Sequence, residues 1–192
     1  DHGADVANMS LRVRHGQSKR LPGSWLAITN RVFNYAHRKG MVMIVIPGNE
    51  AEDMDHDGVL FRAYCEAPHV ICVSATGPTA RVDPFVGPWE NEDALASYSN
   101  FGKVITLSAP GGTRVGLISS VCPRRHITGY VPNTDPEVPI FGCLTPTPNT
   151  AWLWGSSGTS LAAPHVSGLA ALLVEDLGKN NPSAIQMRWC AA

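Results

Sequence analysis

An α/β fold, a mostly parallel sheet with helices on both faces, is what this sequence predicts, and three observations predict it. Short runs at 41–46, 70–75 and 104–108 are almost continuous Val, Ile, Met and Leu, the pattern of strands covered on both sides. A stretch with the 3.6-residue apolar period of a helix precedes the first of these runs. Hydrophobic residues make up 44% of the 192 and charged residues 16%, against a usual charged share of about 25%, so much of the chain must be buried.

Taken in order, the first strand is expected in Asp5-Val6-Ala7-Asn8-Met9-Ser10-Leu11. The helix follows from Ser24 to Lys39. Ser24 is placed to cap its N-terminus, while Trp25, Ile28, Val32 and Tyr35 share one face. Arg38 and Lys39 suit its negative end, and Gly40 suits a left-handed stop. Strand, helix and strand in this order form a βαβ unit. From Ala109 to Gly155 the texture changes. This stretch holds 7 of the 15 prolines and no sustained period, so it reads as loop with short strands near 115–121 and 151–154. The small and apolar run from Gly158 to Leu173 reads as a buried helix, broken at Gly178. A further helix starts at Asn181-Pro182. No repeat is visible, and residues 1–192 are assigned to one domain.

Fifteen Lys and Arg against sixteen Asp and Glu leave a net charge of −1, which argues against nucleic acid or an anionic membrane surface as partner. No apolar run approaches the ~18 residues of a membrane span. The five cysteines suggest disulfides 65–72 and 122–143 with Cys190 left over. Inert thiols are the second reading, and a zinc site recruiting His69 between Cys65 and Cys72 is a third. Oxidised pairs would place the protein outside the cytoplasm.

Ser160 stands where the buried helix begins. Unpaired N–H groups at such a terminus can hold an anion, so a serine there can attack a carbonyl while its own N–H steadies the oxyanion. Capping by Thr159 or Ser160 explains the same residues without chemistry. Spacing alone leaves both readings open.

The longer string Gly-Thr-Ser-Leu-Ala-Ala-Pro-His-Val-Ser-Gly at 158–168 resembles the nucleophile motif of the subtilisin-like serine proteases, the subtilases. Val42 to Glu50 is similar to the family strand that ends in the oxyanion-hole asparagine, here Asn49. Asp5 to Leu11 is similar to the strand before the substrate-binding segment. Tyr98-Ser99-Asn100-Phe101-Gly102 and Leu107-Ser108-Ala109-Pro110-Gly111 agree in order.

The resemblance implies a secreted endopeptidase acting on peptide or protein substrates through an acyl-enzyme, with Ser160 as nucleophile and no cofactor needed for the chemistry. Ser10 and Leu11 would pair with the substrate backbone, with Arg12 where many relatives have glycine. Pro47 and Gly48 would form the other wall of the primary specificity pocket, Glu50 its rim and Arg62 its base. The family's catalytic Asp and His precede the first strand, and neither is recognisable in this chain. His165 lies inside the serine motif as a structural residue. The resemblance therefore implies a domain incomplete at both ends, completed by an N-terminal remainder and inactive without it. A non-catalytic, subtilase-like binding protein is the alternative.

Asp53-Met54-Asp55-His56-Asp57-Gly58 matches the opening of a calcium loop, with Asp53, Asp55 and Asp57 as candidate ligands. Tyr64 stands where the closing Glu belongs and Glu66 comes two residues late, so a solvated acidic turn competes with a structural calcium site.

Overall fold

A computed structural model describes residues 3–11, 17–18, 25–56, 60–61, 64–81, 87–121, 153–179 and 181–190. The elements in the first half are β1 (Val6–Met9), β2 (Gln17–Ser18), α1 (Trp25–Arg38), β3 (Val42–Val45), β4 (Leu60–Phe61), a 3-10 turn at Tyr64–Glu66 and β5 (Val70–Thr76). Then come β6 (Ala80–Arg81), β7 (Trp89–Glu90), β8 (Leu107–Pro110), β9 (Ile118–Val121), β10 (Leu153–Ser156), α2 (Thr159–Leu177) and α3 (Pro182–Cys190).

The central sheet has the order β1-β3-β5-β8, and every pairing in it is parallel. The continuous apolar runs follow from burial on both sides. Val42, Ile44 and Ile46 pack with Ile71, Val73, Ala75, the α2 residues Ala162, Val166 and Ala170, and Ile185 of α3. The alternate residues Met43 and Val45 pack on the other face with Phe33 of α1, Met54, Cys65 and Cys72. A period of two thus divides each strand between two cores.

Three details depart from expectation. The apolar stripe of α1 does not meet the sheet: Ile28, Val32 and Tyr35 are 53%, 57% and 48% exposed, while Thr29 and Phe33 are 5% exposed. The helix buries the adjacent stripe, because Phe33 is the ring that reaches the cluster under β3. The fourth strand starts later than the apolar run. Ile105 N–H donates to Gly102 O at 3.2 Å, and Thr106 N–H joins Cys72 O at 2.9 Å, so the chain is still turning at 102–105. Helix α2 is buried on one side only, with Leu169 and Leu172 at 49% and 62% exposure.

Other expectations hold. Gly40 has φ +85° and ends α1, Asn181 O accepts the Ile185 N–H ahead of Pro182, and Gly178 ends α2. Ser24 lies outside the described residues. Cys65 and Cys72 are disulfide-bonded, with Cα atoms 5.1 Å apart. That bond removes both thiolates from the zinc reading, and His69 instead stacks on His37 at 3.9 Å. The 122–143 pairing falls outside the described residues.

Candidate active site

The parallel sheet presents the carboxyl ends of its strands along one edge, where open α/β sheets gather their ligands. Ser10 follows β1, Asn49 follows β3, Gly77 follows β5 and Gly111 follows β8. The entry to α2 crosses this edge in three residues. Gly158 N–H donates to Gly111 O at 2.9 Å. Thr159 donates to Asn49 Oδ1 twice, from its backbone N–H at 2.9 Å and from its hydroxyl at 2.8 Å. Ser160 O accepts the Ser10 hydroxyl at 3.1 Å. Ser160 and Asn49 are therefore neighbours at one helix mouth.

This geometry separates the two readings of Ser160. Gly158 is the N-cap of α2 and has no side chain to cap it; the Asn49 amide oxygen takes the Thr159 N–H instead, and the Thr159 hydroxyl is spent on the same atom. Ser160 is the second helical residue, and among the described residues its N–H and hydroxyl have no acceptor. With both lone pairs of Asn49 Oδ1 occupied, its amide is oriented and Nδ2 remains as a donor. Gly158 has φ +153°, and a Cβ there would stand 3.5 Å from Asn49 Nδ2. Glycine keeps the space beside that donor open.

Asn49 sits on a loop held from behind by Asn100, which is 3% exposed. The Asn100 amide donates to Pro47 O and Glu50 Oε2, each at 2.9 Å. Its carbonyl accepts the N–H groups of Glu50 at 3.0 Å and Glu52 at 2.9 Å. Tyr98 works similarly on the end of β8, its hydroxyl donating to Gly111 O at 3.0 Å and Gly112 O at 2.6 Å. Burial pushes the Tyr98 phenol well above its usual range, a Gly158 backbone hydrogen bond acting against this. The sequence contained Tyr98 and Asn100 in a recognised stretch but assigned them no role; their partners are far away in the chain.

The remaining candidates fall in several places. Leu11 is 62% exposed beside Ser10. Pro47 and Gly48 are buried, and their carbonyls accept from Asn100. Arg12, Arg62 and Asp57 lie outside the described residues. Asp53 Oδ1 accepts the Asp55 N–H at 2.9 Å, its Oδ2 pairs with His56 at 2.7 Å, and Asp55 Oδ1 accepts the Lys103 N–H at 2.9 Å. Asp53 thus serves its own turn and Asp55 ties it to Lys103, and among the described residues no three His, Cys, Asp or Glu gather around a point. His165 Nδ1 bonds Leu161 O at 2.8 Å along its own helix. Among the described residues no histidine or carboxylate is bonded to Ser160.

The subtilase family profile matches residues 1–189. The chain is 30% identical over 181 residues to the thermophilic serine proteinase of Bacillus sp. strain AK1, covering 94% of this chain and 30% of that protein. It is 28% identical over 188 residues to fervidolysin of Fervidobacterium pennivorans, covering 97% of this chain and 22% of that protein. The fervidolysin crystal structure aligns at TM-score 0.56 and 27% identity, over 93% of this chain and 22% of that one. The fold is also that of a lanthipeptide protease, at TM-score 0.64 and 20% identity, over 96% of this chain and 53% of that one. The chain thus spans less than a third of the length of the two curated relatives. With the match running through β1, Asn49 and Ser160, the chain belongs to the subtilase family.

Proposed function

We propose that this chain is the nucleophile-bearing part of a serine endopeptidase. Ser160 Oγ attacks a peptide carbonyl and forms a tetrahedral intermediate; the amine then leaves with a proton, and water hydrolyses the acyl-enzyme. Asn49 Nδ2 and the Ser160 N–H donate to the developing oxyanion. The histidine that takes the Ser160 proton and the aspartate that orients it come from an N-terminal remainder of the same domain, so the 192 residues alone are inactive. The observation that carries this reading is the Thr159 bridge, which sets the Asn49 amide beside the mouth of α2.

Ser10 and Leu11 follow β1 at the carboxyl edge of the sheet, where they add a substrate strand on the acyl side. The chemistry needs no cofactor. A structural calcium at the turn beginning with Asp53 would serve stability alone, and titration calorimetry with calcium tests it. Secretion accords with the Cys65–Cys72 disulfide and with an extracellular protease of Xanthomonas campestris among the relatives, 30% identical over 170 residues.

A fluorophosphonate probe on the complete protein tests the proposal. Labelling that disappears in Ser160→Ala is the expected result. A complete protein that resists the probe would instead be a binding protein.

A further inference from the structure

The carboxyl edge of the sheet also carries a cavity that the proposed chemistry does not use. Its volume is about 190 Å³, and its walls include Pro78, Trp89, Pro110 and Ile118. An engineered apolar cavity of about 150 Å³ admits benzene, so this one has room for a side chain. Two exposed carboxylates, Glu92 and Asp93, complete the lining. Among the described residues neither enters an ion pair. Trp89 Nε1 is buried there without a hydrogen-bond partner. It stands over Gly116, where an added Cβ would lie 3.2 Å from it.

The position of the cavity assigns it to one side of the site. Along the sheet edge the order is Ser10, Asn49, Pro78 and Pro110, as the strand order β1-β3-β5-β8 requires. Gly158 is tied to Gly111 at the β8 end, and Ser160 to Ser10 at the β1 end. Gly112 and Ile118 line the cavity, and Ile118 pairs with Ser156 on the strand that leads to the nucleophile. The cavity therefore adjoins the entry to α2 on the side away from Ser10 and Leu11. A peptide whose acyl part lies on Ser10 reaches it only with residues beyond the cut bond.

We propose that this cavity is a subsite for a lysine or arginine side chain on the leaving-group side of the scissile bond. The proposal rests on the protease reading above. A basic side chain fits both parts of the lining. Its aliphatic stem lies against the prolines, Ile118 and the indole, and its charged end meets Glu92 and Asp93. An acidic side chain would meet like charge, and an aromatic one would cover the carboxylates without pairing them.

The test uses the complete protease carrying Ser160→Ala, which binds peptides without cutting them. Labelled peptides differ only in having Lys, Arg, Ala or Glu at each of the first three positions after the cleavage site, and Kd is read by fluorescence anisotropy. Lys or Arg at one of these positions should bind about fivefold more tightly than Glu. In Glu92→Gln with Asp93→Asn this preference should vanish, while affinity for peptides ending at the cut bond stays unchanged. Equal Kd for Lys, Ala and Glu, a preference that survives the double substitution, or no peptide binding at all would overturn the subsite. Failure of the protease reading shows separately, as absent fluorophosphonate labelling when Ser160 is intact.

Discussion

The loop Pro47–Glu52 and the turn Asp53–His56 adjoin in the chain, and both are rich in polar side chains. Four hydrogen bonds to the 3%-exposed Asn100 side chain hold the first. The second rests on an ion pair between Asp53 and His56, whose side chains are 38% and 82% exposed. Water competes for the Asp53 and His56 side chains, whereas the Asn100 side chain that clamps the loop is buried. The hydrogen bond from His56, followed by that from the Asp55 N–H, holds the Asp53 carboxyl below its usual range, and the same contact raises His56. Such a shift at the surface signals a local contact and carries little stability. A loop that must present an amide in one orientation needs the dry network instead.

Substitutions should separate the two regions, starting from the loop. On the proposed oxyanion role, Asn49→Ala in the complete protein should lower kcat by about 10²–10³ with KM little changed; that figure was measured for the corresponding asparagine of subtilisin, a member of this family, and is carried over from it. A variant with unaltered kcat would remove Asn49 from the oxyanion hole. Asn100→Ala leaves the Glu50 and Glu52 N–H groups and Pro47 O without their partner, and should cost about 2–4 kcal/mol in chemical denaturation. It should also lower kcat through Asn49, more than KM. Loss of stability with kcat preserved would mean that the clamp does not orient the amide.

Tyr98→Phe removes a donor to Gly111 O and Gly112 O and should cost about 1 kcal/mol by the same assay. The smallest effect belongs to the turn. His56, raised, stabilises fully below its unfolded value of 6.5 and loses this as pH rises through its folded value. Asp53, lowered, stabilises above 3.8 and loses this as pH falls through its folded value. The pair is strongest between these two values. Tm curves of wild type and His56→Ala from pH 3 to 9 should nearly coincide, differing most inside that window. A large Tm difference there would erase the contrast between loop and turn.

Much of the site was legible in the order of residues. Ser160 and Asn49 could be named because their strings are long and specific. Asn100 and Tyr98 stood in view without a role, since a side chain's partners 13 to 53 positions away leave no local trace. Thr159 looked like a cap, but its hydroxyl reaches Asn49 across 110 positions.

The four strands of the central sheet, α1 and α2 and their succession were set by the sequence alone, because a period of 2 or 3.6 and a turn-forming glycine act within a few residues. Only the tertiary structure decided which stripe of α1 was buried, where β8 began and how Asn49 was aimed. Adjacent stripes of a helix differ by a single residue step, and the choice between them depends on the surface that meets them. Thr106 enters the sheet where Cys72 offers a carbonyl, and Asn49 turns where Thr159 offers two donors. Those partners exist only once distant segments have packed together.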